Sequence, residues 1–467
     1  MYDLLLLASA IIFAATSIAY LRHPAAGLMH PATFYLAFHG FIFVIRPIVA
    51  RIYDFNFVYR LFEFMPSISD KITVILAANL AMVVFVASSL YIAKEPPAPL
   101  DDEVFARARA SLTKPIIVVA ALLSPLAVWS LLENWQQRSE EFGSMIRDAA
   151  TGTAINIGGV GWLTDASLFL APITVMIIWL ARYRWWSWAF FGVFMLLQGG
   201  TGIRGPIIYA ASAIGILALL EMRRRWFDWR VMALACVAAL AFGQLVLDRG
   251  ASLRGVLGGG AEVTYTQDAE LAPLEGMDFA NLEYFEYVVY AVPQRSNTYD
   301  YFASNLQVFT EPVPRALWKD KPVGPPIQNF SLWDYGRPIG MTASLPGAGW
   351  LSLGYVGVVI QTLFFAMLYA YLFVWLLTRR ATPLAHLAYA LLIATAFNVL
   401  RDGTLLTFAR QMPFYLGPLL MVVLAQRLLG PARGAHVHDW NQPVSEFLAQ
   451  SPAERRRSLA SQTKDQR

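Results

Sequence analysis

The chain has 467 residues, a formal net charge of +4 and a single cysteine, with 57% hydrophobic and only 15% charged residues and a mean hydropathy of +0.49. An ordinary soluble domain carries about 25% charged residues, so a water-facing surface of normal size is excluded. Cys236 stands alone, which excludes an intrachain disulfide.

Apolar runs near the ~20 residues needed to cross a bilayer recur along the chain. In order they cover about residues 2–21, 28–50, 72–93, 115–132, 163–180, 187–199, 206–220, 231–247, 351–377, 384–400 and 412–428. The expectation is an all-α integral membrane protein with about eleven transmembrane helices. No basic segment precedes the first run, and Arg22 and His23 follow it, so it reads as a first span rather than a cleaved signal. The sixth and seventh runs are short and meet at Gly199-Gly200-Thr201-Gly202-Ile203-Arg204-Gly205-Pro206, which predicts a hairpin that stops short of the membrane surface.

Lys94, Arg107, Arg109 and Lys114, then Arg182 and Arg184, then Arg223 to Arg225 with Arg230, then Arg379 and Arg380 fall in alternate loops. The positive-inside rule assigns those loops to the cytoplasm, the N-terminus to the outside and the C-terminus to the inside. The organisation follows: an N-terminal transmembrane bundle over 1–247 (about eight spans), a large outer loop over 248–350, C-terminal transmembrane helices over 351–428, and a disordered cytoplasmic tail over 429–467. Prolines 96, 97 and 99 mark a cytoplasmic linker. Within the loop, residues 278–290 and 296–309 carry apolar positions at helical spacing, which predicts two amphipathic helices.

Arginines at the outer boundary are the informative residues. Arg46 lies inside the second run, Arg204 at the hairpin tip, and Arg401 and Arg410 bracket the last outer loop. An arginine near the apolar core costs at least about 2.5 kcal/mol on insertion scales, so it needs a carboxylate, water or an anionic ligand. Its planar fork matches phosphate oxygens. The blander reading of any one of them is a snorkelling anchor, and Arg46 has Asp54 or another acid as a possible partner. Four on the side where cations are not the default favour an anion site.

In the loop, Arg295, Arg315, Lys319 and Lys321 are further candidate anion ligands. Tyr299 and Trp318 are candidate sugar-stacking residues among many aromatics, whose ordinary role is core or interfacial belt. Asp300, Glu311, Asp334 and Asp402 are candidate catalytic carboxylates, and the sequence does not choose among them. His23, His30, His39, His386, His436 and His438 all fall in spans, cytoplasmic loops or the tail. An outward zinc site or Ser-His triad is therefore not expected; neither metal nor cofactor is called for, and nucleic acid is not an expected partner.

Pro314-Arg315-Ala316-Leu317-Trp318-Lys319-Asp320-Lys321-Pro322 resembles the PR-x-LW-x-x-KP segment of bacterial Wzy-type oligosaccharide repeat-unit polymerases, the O-antigen and exopolysaccharide polymerases. Thr201-Gly202-Ile203-Arg204-Gly205 between short spans, and Gly347, Gly349, Gly354 and Gly357 leading into a long span, are similar to that family's setting. The resemblance runs from about Arg46 to Arg410. It implies a GT-C-related, metal-independent glycosyltransferase of the bacterial inner membrane with a large periplasmic loop. Its substrate would be an undecaprenyl-pyrophosphate-linked oligosaccharide, transferred to the sugar end of another lipid-linked repeat unit. Membrane lipids and a chain-length regulator are the further partners it implies. The alternatives are an O-antigen ligase-like glycosyltransferase, which would lean on an outward histidine that this chain lacks, a lipid-linked oligosaccharide flippase or other transporter, and a membrane acyltransferase using His39.

Overall fold

A computed structural model describes residues 2–96, 102–139, 145–147, 154–156, 165–199, 204–233, 272, 274–313, 317–318, 320–322, 324–338, 340–379 and 382–429. The described residues are almost wholly helical: α1 (Tyr2–Arg22), α2 (Pro31–Ile52), α3 (Phe57–Phe62), α4 (Ile68–Ile92), α5 (Asp102–Ser111), α6 (Thr113–Ser139), α7 (Leu170–Leu180), α8 (Trp188–Gly199), α9 (Gly205–Met222), α10 (Asn281–Ala291), α11 (Ala303–Thr310), α12 (Ser344–Thr378), α13 (Pro383–Asp402) and α14 (Leu405–Leu429). One antiparallel hairpin pairs β1 (Met145–Arg147) with β2 (Ala154–Asn156).

Among the described residues, eight helices are long and apolar enough to span a membrane: α1, α2, α4, α6, α9, α12, α13 and α14. The chain is thus a multi-pass helical membrane protein by length and composition. Of the eleven runs expected, the fifth forms a shorter apolar helix, Asp165–Leu180. The sixth forms α8, of 12 residues, and the eighth lies mostly outside the described residues. The seventh run departs from expectation, because α9 extends over 18 residues and is a full-length candidate span rather than half of a short hairpin. Pro206 sits in its first turn, where a missing N–H costs nothing, and the helix runs on past the apolar run to Met222.

Polar contacts sort the loops into two ends. At one, Leu28 N–H bonds to Arg225 O (2.8 Å), Arg109 pairs with Glu221 (2.6 Å) and Gln426 bonds to Ser111 (3.3 Å). These are the loops in which the basic residues concentrate. At the other end, Arg51 meets Asp3 (3.2 Å), Asn134 meets Ser167 (3.4 Å) and Arg410 meets Asp165 (2.8 Å). The 53–67 segment and the described part of the large loop gather there.

α12 carries the site-forming irregularity. It is broken at Leu353 (φ −165°, ψ 41°) and Gly354 (φ 56°, ψ −141°), and the second pair is open only to glycine. The first half folds back on the second so tightly that a Cβ on Gly357 would lie 2.0 Å from Gly349 O, and one on Gly349 would lie 2.7 Å from Val358 Cα. The boundary expected between loop and span at 350/351 therefore falls inside a helix whose first half, 344–352, is packed into the bundle. Backbone rather than a flexible side chain blocks the space, so Gly357→Ala should lose folded, monodisperse protein in detergent chromatography, an overpacking cost above the usual ~1–3 kcal/mol. Gly192→Ala, with nothing within 4 Å of the added methyl, should elute unchanged.

The loop helices also differ from expectation. α10 is buried on every face, from Asn281 to Val289, rather than amphipathic. One side packs on a second core built by Val58, Tyr59, Phe62 and Phe64, where Phe62 stacks on Tyr284 at 5.1 Å; the other side meets α4 and the first half of α12. α11 is shorter than the run 296–309. Asp300 N–H and Tyr301 N–H instead donate to Leu351 O (2.9 Å) and Ser352 O (3.0 Å), carbonyls released by the break in α12.

Candidate functional site at the loop-covered end

Arg46 is fully buried, and its position follows from a wide turn in α2. Residues Gly40–Ile45 are π-helical, with Arg46 N–H bonded back to Phe41 O; the turn precedes Pro47, whose ring a regular helix would not accommodate. The guanidinium is thereby set under the loop. Its Nε donates to Glu283 Oε2 (2.8 Å) and Oε1 (3.1 Å), and its Nη1 to Leu274 O. Arg46 thus pairs with Glu283 and not with Asp54, which lies beside Arg51 instead (3.8 Å). With both members of the pair at most 2% exposed, the charge expected to bind substrate is already neutralised. Arg46 ties α10 to α2.

Glu286, one turn along α10, extends this buried network. It accepts from Tyr59 Oη (2.6 Å), and Lys71 Nζ lies 4.8 Å over the Tyr59 ring. Burial pushes the Glu286 carboxyl from 4.5 up to about 7, against the pull of Lys71. A carboxyl whose pKa is higher folded than unfolded favours the fold while protonated. The contribution of Glu286 is therefore fully present below pH 4.5 and is lost as pH rises through 7, by about 3 kcal/mol. A melting-temperature series from pH 5 to 8 should show this decline, and Glu286→Gln should flatten it. Neither Glu283 nor Glu286 was singled out in the sequence, although two acids three residues apart in an apolar segment are the pattern that marks them.

The α13–α14 turn presents a different arrangement. The Arg401 side chain makes no hydrogen bond or ion pair with any described residue, and its Nε is buried without a partner. The charged group it feels is the adjacent Asp402, whose Oδ2 accepts from Thr407 Oγ1 (3.0 Å). Both charges also reach Tyr209, one turn into α9; the ring of Tyr209 covers Gly205, next to Arg204. The turn is fixed from three sides. Asn281 Nδ2 donates to Arg401 O (3.0 Å), Gln361 Nε2 to Gly403 O (2.7 Å), and Leu405 N–H to Asn305 Oδ1 (2.9 Å). Gly403 (φ 77°) presses on Ser344 O at the start of α12, so no side chain fits there. The backbone around Arg401 is held by the loop and the broken helix while its side chain is left unpaired.

The other expected site residues divide. Arg410 is paired with Asp165 (2.8 Å) and lies within electrostatic reach of Glu311. Glu311 in turn accepts from Lys321 Nζ (2.9 Å at its carbonyl, 3.5 Å at its carboxylate). These join the Arg401 side of the molecule through α11, which packs on α14. Asp300 is buried, accepts from Ser304 N–H (2.9 Å) and so caps α11; burial pushes its carboxyl up. Asp334 is exposed near Tyr287, away from the turn. Arg295 lies over the Tyr290 ring, also on the α10 side. Tyr299 packs against Gly354 at the α12 break, and Trp318 is exposed. Arg315 and Lys319 lie outside the described residues. Among the described residues no three His, Cys, Asp or Glu side chains come together in a metal-binding group.

Comparison with family models, curated proteins and solved structures gave no match. The chain is read from its own geometry.

Proposed function

We propose that the chain is a metal-independent membrane glycosyltransferase, an oligosaccharide repeat-unit polymerase. It transfers a glycan from undecaprenyl pyrophosphate to the sugar end of another lipid-linked unit at the periplasmic face of the bacterial inner membrane, with its N-terminus periplasmic and its C-terminus cytoplasmic. The observation that carries the reading is the unpaired Arg401 guanidinium beside half-buried Asp402, fixed at the end of the spans beneath the large loop. The Pro314–Pro322 resemblance supports it independently.

The chemistry follows from the two side chains. Arg401, with Arg204 at the start of α9, holds the pyrophosphate oxygens, where negative charge grows as the sugar C1–O bond breaks. Asp402, oriented by Thr407, accepts the proton of the attacking hydroxyl as the new C–O bond forms. Undecaprenyl pyrophosphate leaves as the dianion or more charged form, so no added cofactor enters the balance.

The test is purified protein with undecaprenyl-pyrophosphate oligosaccharide as sole substrate. A ladder of repeat units supports the polymerase. Transfer only to an added acceptor points to a ligase, and movement across a vesicle without a new bond points to a flippase. The orientation is tested by reporters fused near Leu274, expected active only outside the cytoplasm, and near Ala108, expected active only inside.

A further inference from the structure

A second set of polar side chains lies away from this site, inside the α1–α2–α4 packing. His39, near the middle of α2, is fully buried, and neither ring nitrogen has a hydrogen-bond partner among the described residues. Its ring is held between Phe13, Tyr35 and Phe43, at 5.4–6.0 Å between centroids. Asn79 of α4 is the polar side chain set against its ring, and itself accepts from Ser9 Oγ of α1 (3.1 Å). Tyr35 Oη, Ser17 Oγ and Ser89 Oγ on the same three helices are buried and equally without partners.

Polar groups continue in both directions from His39. Towards one end, Tyr20 bonds to Thr33 (2.6 Å) and His30 Nε2 meets Ala93 O (3.1 Å). Towards the other, the wide π-helical turn begins at the next residue, Gly40. Beyond it lie Arg46, Glu283 and Glu286, with Tyr2 of α1 in electrostatic reach of both acids. Buried polar groups in folded proteins are bonded to protein or to ordered water almost without exception, and lipid offers no substitute. These groups sit on three helices that pack on one another, and ordered water is the usual partner of such buried groups. An intramembrane ionisable residue is costly to keep and marks a proton or ion path, and π-turns concentrate at functional positions.

We propose that His39 is a proton-binding site within the membrane, reached by internal water along a polar seam between α1, α2 and α4. One ring nitrogen accepts a proton from water on one side while the other releases one to water on the far side; exchange of tautomer restores the imidazole, and no other bond changes. No charged group faces the ring among the described residues. Its neighbours are Phe13 and the Ser9–Asn79 pair from α1 and α4, and Tyr35 and Phe43 from α2.

The test uses the full-length protein in potassium-loaded liposomes with an interior pH dye and a valinomycin-imposed potential. Wild-type protein should move protons at least ~10-fold faster than empty liposomes. His39→Phe suits the aromatic surroundings and removes two unpartnered nitrogens. It should fall to the empty-liposome rate with an unchanged or higher melting temperature. His39→Gln, which cannot exchange a proton, should also fall and decides the matter if the Phe variant does not fold. Wild-type flux at the empty-liposome rate, or flux retained by a folded His39 variant, overturns the proposal.

Discussion

Arg401→Ala should reduce glycan transfer by about 10²–10³-fold, the loss typical of removing one fixed donor from developing transition-state charge. The basis is specific to this position. Arg46 has Glu283, Arg410 has Asp165 and Lys321 has Glu311, whereas Arg401 has a held backbone and an unbonded side chain. A structural arginine that had lost nothing on mutation would leave transfer intact. Lys at 401 should recover only a small fraction, because an ammonium lacks the planar fork that meets two phosphate oxygens at once. Asp402→Asn should slow turnover by at least ~10² while leaving donor binding unchanged, since the carboxylate is assigned to the acceptor proton. Single-turnover product formation from a defined lipid-linked oligosaccharide separates the two variants. Equal loss of binding in both would reassign Asp402 to holding Arg401.

The second large effect is on stability. Arg46→Ala leaves Glu283 buried and unpaired next to Glu286, which should destabilise the protein by about 3–5 kcal/mol. Glu283→Ala should cost a similar amount through the stranded guanidinium. Arg46→Met combined with Glu283→Leu should recover most of the loss, because apolar side chains of similar volume replace a buried pair at little net cost. The readout is the melting temperature in detergent or nanodiscs, with transfer activity measured on the same samples. The double variant should remain active, as expected if Arg46 fastens α10 to α2 rather than holding substrate.

Local composition and long-range pairing leave different traces in a sequence. The spans were legible because runs such as those in α1, α4 and α14 need only local composition to be recognised. The basic loops were legible for the same reason, and they do gather at one end of the bundle. Pairing across distance was not legible. Arg46 and Glu283 are 237 positions apart, and nothing local to Arg46 announces that its partner is in the loop rather than at Asp54. α10 reads as amphipathic from the spacing of its apolar residues; Arg46 and Tyr59 arrive from elsewhere to satisfy its acids. The glycines of 347–357 were noticed, but their purpose is a helix folded on itself, which follows only from Gly354's backbone and the contact of Gly349 with Gly357. The sequence places its informative polar residues, the arginines, at the outer boundary. His39 and Asn79 near the middle of their helices do not fit that expectation, and they are the basis of the proton site proposed above.

The claim at the centre of the account is that the α13–α14 turn holds the pyrophosphate of a lipid-linked donor. It is tested most directly by measuring the affinity of undecaprenyl pyrophosphate for the protein in nanodiscs, in wild type, Arg401→Ala and the Arg46→Met/Glu283→Leu pair. The account predicts at least ~10-fold weaker binding for Arg401→Ala, equivalent to about 1.4 kcal/mol, and wild-type binding for the pair. Unchanged affinity in a folded Arg401→Ala variant would contradict it.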